Sequence, residues 1–303
     1  MATVLITGGT GLIGNALRQA LQEKGYNIII LSRNPDEKKN TANLRYAKWD
    51  IEKNYIDKDA ISTADYIIHL AGAGVVEKRW TKRRKQEIID SRVKSSELLV
   101  KSMANTPNKI KAVVSATAIG WYGPDPIIPN PTPFVETDPA HDSFLGYTCK
   151  LWEQSIEPVT QLGKRLVKFR IGIVLSEKGG AMQEFKKPLK FGVAAILGNG
   201  KQMLSWIHID DLVQLFINGI ENEKLAGVYN AVAPHPVSNK VLTLQLAKAG
   251  GKFFIPVHVP SFALKLVLGK MSIEILKSAT VSSSKIEGTG FAFTYSAIDE
   301  AIK

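Results

Sequence analysis

The stretch TVLITGGTGLIG, residues 3–14, decides the fold because it joins a buried strand to a helix through a glycine-rich turn. β-branched and aliphatic residues fill its first positions, and glycines then end the apolar run. The residues that follow, up to Tyr26, place apolar side chains at helical spacing, with Gly25 at a position typical of a helix C-terminus. A strand, a tight turn and a helix in this order predict the start of a βαβ unit.

The same alternation of strands and helices continues through the first half of the chain. Further strands are predicted in NIIILS, LRYAKWD, ADYIIHLAG, KAVVSATA and RLVKFRIGIVLS, and a long helix from Lys85 to Met103. This rhythm indicates a parallel sheet that helices cover on both faces. We therefore predict an α/β protein with a Rossmann-type doubly wound parallel sheet in residues 1–175. A smaller C-terminal α/β substrate lobe follows in residues 176–303, with some interleaving of the two.

The composition is that of an ordinary globular protein, with 303 residues, 45% of them hydrophobic and 22% charged. The only cysteine, Cys149, excludes an intrachain disulfide and favours a reducing cytoplasm. No stretch approaches the roughly 20 apolar residues of a membrane span. We expect a soluble cytoplasmic protein without a membrane partner, either a monomer or a homodimer.

The net charge of +11 is densest in EKRWTKRRKQE, residues 77–87. A run of this kind is usually a solvated helix face. No nucleic-acid-binding module accompanies it, so binding of a polyanion is the less favoured interpretation.

Glycines at positions 8, 11 and 14 follow the first strand directly and open the first helix. In such a pattern Gly8 permits the tight turn, Gly11 lets the backbone approach a pyrophosphate, and Gly14 allows close packing of helix against strand. Strand, spacing and helix agree, which predicts dinucleotide binding with the negative charge at the helix N-terminus. The predicted contacts on this turn are Gly8, Thr10, Gly11, Leu12, Ile13 and Gly14.

The end of the second strand indicates which dinucleotide is bound. An NAD site usually keeps an acid there for the ribose 2′-hydroxyl, whereas an NADP site needs a cation for the 2′-phosphate. This chain has Ser32 and Arg33 and no acid at the strand end. Arginine can bind a phosphate through two parallel hydrogen bonds, so NADP(H) is the predicted cofactor.

With TGxxGxxG, Arg33, KWD and HLAG in order, the chain resembles the extended short-chain dehydrogenases/reductases, which include sugar-nucleotide epimerases and dehydratases. GWYG, GNGKQMLSWIHIDDLV and GFAFTYSAIDEAI resemble one epimerase-like branch with a C-terminal extension and mostly unassigned substrates. The resemblance implies that Asp50 contacts the adenine amino group. It also implies further cofactor contacts at Leu70, Ala71, Gly72, Glu87 and Arg92, the last where the parent group commonly has asparagine.

The catalytic tyrosine and lysine of the parent group are missing. In FLGYTCKLWE, residues 144–153, Gly146, Thr148 and Glu153 fix a register that puts Leu145 at the tyrosine position and Cys149 at the lysine position. Tyr147 and Lys150 are spaced three residues apart instead of four and would form the pair only in a slipped register.

Two residues remain as candidates for the proton chemistry. Thr117, at the end of the predicted fifth strand with Ser115 behind it, could orient a substrate oxygen, and Tyr147 could act as a rearranged acid. Cys149 is predicted to fill space in the interior, because a nucleophile would need an activating base.

The leading prediction is an NADP(H)-binding, epimerase-like oxidoreductase of unknown substrate. The alternative is a non-enzymatic NADP(H)-binding sensor or scaffold, in which the missing pair marks lost catalysis. Ile173 stands where epimerases often carry an asparagine near the substrate diphosphate. This difference weakens the case for a nucleotide-sugar substrate without excluding one. His208 and Asp210 are not predicted to bind a metal, because Asp210 or Asp211 is explained more simply as a helix N-cap.

Overall fold

The computed structural model describes residues 1–302. In chain order the first half contains β1 (Thr3–Thr7), α1 (Leu12–Glu23), β2 (Asn27–Ser32), β3 (Leu44–Asp50), β4 (Tyr55–Ile56), α2 (Lys58–Thr63), β5 (Tyr66–His69), α3 (Lys82–Asn105), β6 (Ala112–Ala118), α4 (Phe144–Ile156), β7 (Arg165–Ile171) and β8 (Ile173–Leu175). The second half contains α5 (Ala181–Leu189), β9 (Val193–Leu197), β10 (Met203–Leu204), β11 (Trp206–His208), α6 (Ile209–Glu221), β12 (Gly227–Ala231), β13 (Val237–Ser238), α7 (Asn239–Ala249), β14 (Ile255–Val259), α8 (Ser261–Leu268), α9 (Ser272–Ile275), α10 (Ser284–Glu287) and α11 (Ile298–Ala301). Short 3₁₀ turns lie at Pro35–Glu37, Ile119–Trp121, Glu157–Leu162 and Gly269–Met271.

An eight-stranded sheet carries the fold, in the order β12-β7-β6-β5-β1-β2-β3-β4. Its strands run parallel except β4, which pairs antiparallel with β3 at the edge. The chain moves outward from β1 to β2 and β3, then crosses to β5 on the other side of β1. This reversal opens a crevice at the carboxyl ends of β1 and β5, where doubly wound sheets bind ligands. The predicted Rossmann-type class is confirmed.

Apolar side chains bury both faces of this sheet. On one face α1 and α6 supply Leu17, Leu21 and Phe216, and on the other α3 and α4 supply Leu98 and Ile156. Burying one such side chain stabilises a fold by roughly 1.5–3 kcal/mol, so the two apolar layers contribute strongly to the stability of the sheet. No helix in residues 1–302 is long and apolar enough to cross a membrane.

A smaller α/β lobe stands beside the sheet. Its strands β9 and β14 pair in parallel, and α5 and α7 pack on β9. However, β12 is an edge strand of the main sheet, and α6 packs on α1, although both elements follow residue 176. The division into residues 1–175 and 176–303 stays a prediction, with this interleaving as an observed feature.

Three details of the predicted elements are corrected. The predicted strand RLVKFRIGIVLS is interrupted at Gly172, because its second part, β8, leaves the main sheet to pair with β11. Helix α3 begins at Lys82, earlier than predicted, because the Thr81 side chain caps it. Helix α6 is capped by His208, whose Nδ1 accepts from the Asp210 backbone N–H at 3.3 Å. Neither Asp210 nor Asp211 is the cap, since both lie in the first turn.

Candidate functional site

The glycine turn between β1 and α1 leaves no room for a side chain at Gly8 or Gly14. Gly8 has φ +67°, and a Cβ there would stand 3.0 Å from the Leu70 carbonyl group. A Cβ on Gly14 would stand 2.4 Å from the Gly8 carbonyl oxygen and 2.6 Å from the Gly9 Cα. The turn therefore packs backbone against backbone, directly beside the segment that follows β5.

The N-terminus of α1 is open to an anion. Its N-cap, Gly11, offers no side-chain hydrogen bond, and the first turn contains no acidic residue. The first backbone N–H groups of a helix lack intrahelical partners and lie at the positive end of its dipole. Thr10, Leu12 and Ile13 belong to this turn, and the Asn15 side chain donates to the Thr10 carbonyl oxygen at 2.9 Å. The glycine turn and helix start thus fit a pyrophosphate.

Thr7 and His69 hold this turn against the end of β5. The Thr7 hydroxyl accepts from the backbone N–H groups of Leu70 and Ala71 at 3.1 Å each and lies 2.7 Å from His69 Nδ1. His69 Nε2 lies 3.1 Å from the Ser96 hydroxyl. Burial lowers the pKa of His69 to about 3, so its imidazole is neutral and structural. The predicted contacts Leu70, Ala71 and Gly72 therefore lie beside the glycine turn.

Ser32, Arg33 and Asp50 lie at the carboxyl ends of two neighbouring strands. Ser32 ends β2 and accepts from the Asn34 N–H at 3.2 Å, and Arg33 follows it, exposed. Asp50 ends β3 and accepts from the Lys53 N–H at 3.1 Å. Within residues 1–302, the Arg33 guanidinium forms no ion pair. It is a free cation at the edge where the glycine turn lies.

Arg92 of α3 is buried beside Gly72, only 9% exposed. Its guanidinium carbon would stand 3.1 Å from a Cβ on Gly72, and Nη1 donates to the Ala73 carbonyl oxygen at 3.0 Å. The group lies over the Trp152 ring at 4.9 Å, and burial lowers the pKa of Arg92. No carboxylate pairs with it in the described part of the chain. The guanidinium of Arg92, a buried cation beside the crevice, therefore has only carbonyl oxygens as hydrogen-bond acceptors.

Glu87 is held by a neighbouring arginine on the same helix. Arg84 Nη1 lies 2.8 Å from Glu87 Oε1, and Nη2 lies 3.1 Å from Glu77 Oε2. The hydrogen bond from Arg84 lowers the pKa of Glu87, which is exposed. Arg84 itself is buried. The prediction that the basic run forms a solvated helix face is therefore wrong at this position.

Leu145 and Cys149, which the predicted register puts at the tyrosine and lysine positions of the parent group, lie close to the segment that follows β6. Leu145 packs against Gly120, whose Cβ would stand 3.2 Å from the Leu145 Cβ. The Cys149 thiol donates to the Ala118 carbonyl oxygen at 3.5 Å, and burial raises the pKa of Cys149 to about 11. Both side chains therefore face the carboxyl end of β6, and the thiol is protonated.

Tyr147 lies on the other side of α4 and is 53% exposed. A helix turns by about 100° per residue, so Tyr147 points roughly 200° away from Leu145. Thr117 is buried at the end of β6, and its hydroxyl donates to Glu153 Oε1 at 3.3 Å. The structure does not bring these two candidate catalytic residues together, and both assignments stay predictions.

Glu153 and Arg170 form a buried ion pair that the sequence did not indicate. Arg170 Nε and Nη2 lie 2.8 and 3.2 Å from the two Glu153 oxygens. Arg170 also donates to the Tyr122 hydroxyl at 3.1 Å, and burial raises the pKa of Tyr122 to about 12. The one sign of this pair in the sequence is that Glu153 and Arg170 are charged residues that stand beside apolar ones, in TCKLWE and KFRIG.

The C-terminal extension contacts the segment that follows β6. Lys277 Nζ donates to the Tyr122 carbonyl oxygen at 3.2 Å and pairs with Glu274 at 2.7 Å. No group of three or more histidine, cysteine, aspartate or glutamate side chains in residues 1–302 is placed to hold a metal ion.

Comparison with known proteins decides the family. The chain is 36% identical over 303 residues to an epimerase family protein of Staphylococcus aureus (strain MRSA252), covering 100% of this chain and 98% of the relative. The chain belongs to the NAD dependent epimerase/dehydratase family. The pattern of that family matches residues 4–150, and residues 259–303 match a domain of unknown function, DUF1731.

Solved structures of epimerases share the fold. The human epimerase family protein SDR39U1 (isoform 2), solved with NADPH, has a TM-score of 0.85 and 28% identity, covering 99% of this chain and 98% of that one. A UDP-glucuronic acid 4-epimerase from Bacillus cereus, solved with UDP-glucuronic acid and NAD, has a TM-score of 0.80 and 19% identity, covering 99% and 96%. This epimerase family protein therefore has the nicotinamide-dinucleotide-binding fold of its relatives.

Proposed function

We propose that this epimerase family protein binds NADP(H) and acts as an oxidoreductase on a small molecule. The observation that carries the proposal is that Ser32 and the exposed Arg33 lie at the same edge of the sheet as the glycine turn, in which Gly8 and Gly14 leave no room for a Cβ. A 2′-phosphate needs such a cation, and no acid stands at the end of β2 to favour a 2′-hydroxyl. The human relative, which was solved with NADPH, supports the same cofactor.

The chain's own groups divide the work of holding the cofactor. The glycine turn and the α1 N-terminus would hold the pyrophosphate, Ser32 and Arg33 the 2′-phosphate, and Asp50 the adenine amino group. When bound, the cofactor supplies or accepts hydride. The buried, carbonyl-bound Arg92 and the exposed Glu87 would complete the contacts from α3.

Proton transfer must use groups other than the family's tyrosine and lysine. Leu145 has no proton to transfer, and the buried Cys149 thiol, whose pKa is raised to about 11, is a weak acid that donates to the Ala118 carbonyl oxygen. Thr117 lies at the carboxyl end of β6 and could pass a proton only with Glu153, its hydrogen-bond partner. Tyr147 could act only on a substrate that reaches the exposed side of α4.

Equilibrium binding of NADPH and NADH tests the cofactor. Removing the Arg33 charge should weaken NADPH by at least about tenfold, the equivalent of roughly 1.4 kcal/mol, and should leave NADH nearly unchanged. Lys224→Ala is a matched control, because it removes an exposed cation from the turn between α6 and β12. Equal losses for both cofactors in Arg33→Ala would refute the assigned role.

A non-enzymatic NADP(H)-binding sensor or scaffold is the second candidate. The apolar Leu145 and the protonated Cys149 at the two catalytic positions favour it. An enzyme should oxidise bound NADPH when the correct carbonyl compound is present, whereas a sensor should change a binding equilibrium without consuming the cofactor. The single cysteine, free and buried, keeps the cytoplasm as the proposed location.

A further inference from the structure

Arg92 of α3 keeps one edge of its guanidinium group without a hydrogen-bond partner. Its Nη1 donates to the carbonyl oxygens of Ala73 and Ile88 at 3.0 and 2.9 Å. Within residues 1–302, Nε and Nη2 donate to no acceptor. Because an arginine carries N–H donors on all three nitrogens, the edge formed by Nε and Nη2 remains unused. We call these two atoms the Arg92 fork.

Arginine uses this edge to bind a carboxylate. In Arg170 the same two atoms, Nε and Nη2, bind both oxygens of Glu153 at 2.8 and 3.2 Å. The two N–H groups point in parallel and match the spacing of two oxygens of one carboxylate or phosphate. The Arg92 fork therefore has the geometry for an oxygen anion, and no carboxylate in the described part of the chain occupies it.

The surroundings of the Arg92 fork lack acceptors. Arg92 is only 9% exposed, and buried charges are normally paired. The Trp152 ring, whose centre lies 4.9 Å from the Arg92 guanidinium carbon, has an enclosed Nε1 that also donates to nothing in residues 1–302. Nε and Nη2 of Arg92 are not among the enclosed atoms, so solvent reaches both. A ligand oxygen can therefore reach them too.

Arg92 lies on the side of the glycine turn away from Arg33. Gly72 packs on the guanidinium group, since a Cβ there would stand 3.1 Å from the Arg92 Cζ. The same segment touches the glycine turn, because a Cβ on Gly8 would stand 3.0 Å from the Leu70 carbonyl group. In the main sheet β5 lies on one side of β1, and β2, which Arg33 follows, lies on the other. The Arg92 fork and the proposed 2′-phosphate site therefore flank the turn.

Helix α4 borders Arg92 on the side of β6. Trp152 follows Cys149 by three residues and so lies on roughly the same face of α4. Burial raises the pKa of Cys149, and the Arg92 charge is the strongest influence that lowers it. The Cys149 thiol donates to the Ala118 carbonyl oxygen at the end of β6. Arg92 is therefore close to the ends of β5 and β6, the side left for the nicotinamide when adenine lies over β2 and β3.

We propose that the Arg92 fork binds a carboxylate of the substrate, so that the substrate is an organic acid with a carbonyl or hydroxyl group. The inference rests on the proposed oxidoreductase function. One carboxylate balances the one unpaired charge of Arg92, whereas a phosphate monoester or a diphosphate would bring a second negative charge to a buried site. Nη1 and the face of the guanidinium group remain with Ala73 and Gly72, beside the predicted cofactor contacts.

Ligand-detected NMR titration tests the site. The protein is saturated with NADP⁺ so that no turnover occurs, and the probes are 2-oxohexanoate, its uncharged amide and butyl phosphate. Only the acid can accept two charge-assisted hydrogen bonds with a single negative charge, so it should bind at least about tenfold more tightly than the amide. It should also bind more tightly than butyl phosphate. Equal binding of acid and amide, or tighter binding of butyl phosphate, would overturn the inference.

Variants locate the preference for the acid. Arg92→Gln should abolish it, and Arg92→Lys, which keeps the charge but loses the parallel donors, should reduce it at least about threefold. Lys101→Gln is the matched control, because it removes an exposed cation from the same helix. Urea midpoints confirm that each variant is folded. A preference unchanged in both Arg92 variants, or lost instead in Lys85→Gln, whose Nζ lies 4.5 Å from the centre of the Phe144 ring, would contradict the assignment.

Titration with NADPH separates this inference from the proposed function. Failure of the wild-type chain to bind NADPH would contradict the proposed function. If Arg92→Gln weakens NADPH as strongly as it weakens 2-oxohexanoate, the Arg92 fork binds the cofactor and the inference is wrong. We expect the loss to be larger for the acid.

Discussion

Glu153 of α4 and Arg170 of β7 form a two-pronged ion pair in the interior, with nitrogen-to-oxygen distances of 2.8 and 3.2 Å. Thr117 adds a hydrogen bond to the same carboxylate, and Tyr122 accepts one from the same guanidinium. This network joins β6, α4 and β7 at the carboxyl edge of the sheet. It therefore fixes the position of the helix that carries Leu145 and Cys149.

Breaking this pair should destabilise the protein strongly. Glu153→Ala leaves the buried Arg170 charge without a carboxylate partner, which should lower the free energy of unfolding by about 3–5 kcal/mol in urea titrations. The double variant Glu153→Leu/Arg170→Met removes both charges and should recover much of that loss. Glu184→Ala breaks the exposed pair with Lys187 and should cost less than about 1 kcal/mol. Equal losses of stability in Glu153→Ala and Glu184→Ala would contradict the prediction that breaking the buried pair costs more than breaking an exposed one.

The glycine turn gives a second prediction. Gly14→Ala places a Cβ 2.4 Å from the Gly8 carbonyl oxygen, so the turn must shift and NADPH affinity should fall by at least about tenfold. Gly250→Ala is the control, because a Cβ there meets no atom closer than 3.4 Å and φ is −69°. Fluorescence titration of NADPH measures both variants. Normal affinity in Gly14→Ala would exclude this turn as the pyrophosphate site.

His69 predicts how stability depends on pH. The pKa of His69 in the folded protein is about 3, below its ordinary value of 6.5, so below pH 6.5 the unfolded chain binds a proton that the folded chain does not. The contribution of His69 to the free energy of unfolding is complete above pH 6.5 and is lost as the pH falls toward 3. Between pH 7 and pH 4.5 the loss should reach about 3 kcal/mol.

Urea unfolding of His69→Gln across that pH range isolates this effect. The variant should be less stable at pH 7 but should lose stability less steeply on acidification than the wild-type protein. His258→Gln, which changes an exposed histidine, should follow the wild-type slope. Parallel curves for wild type and His69→Gln would contradict the assignment of a buried neutral imidazole.

Cys149 should resist thiol reagents in the folded protein. With a pKa of about 11, only about one thiol in a thousand is ionised at pH 8, and the side chain is buried. Modification by a disulfide reagent should therefore run more than about 100-fold slower than in urea. Rapid labelling of the native chain would restore Cys149 as a candidate nucleophile.

Much of the fold follows from local sequence patterns. The glycine turn was predictable because Gly8 and Gly14 act within one strand-turn-helix unit. The cap of α6 was assigned wrongly because an imidazole nitrogen at His208 accepts the hydrogen bond that an aspartate was expected to accept. The break at Gly172 arises from pairing with β11, a strand that lies far along the chain, beyond α5, β9 and β10.

The contacts between the lobe and the main sheet could not be predicted in the same way. Arg79 meets the end of α8 across 188 residues, and Lys277 meets Tyr122 across 155. No periodicity or motif links such positions, because these contacts depend on how the lobe packs on the sheet. The burial of Arg84 and Arg92 is hidden for a different reason, since both stand in a helix whose sequence reads as charged and bind carbonyl oxygens of the loop after β5.

A crystal structure with NADPH bound tests the central claim most directly. It should show the pyrophosphate at the turn from Gly8 to Gly14 and the 2′-phosphate against Ser32 and Arg33. The nicotinamide should lie near Leu145 and Cys149. A cofactor whose 2′-phosphate points away from Arg33, or whose pyrophosphate lies elsewhere, would contradict the account.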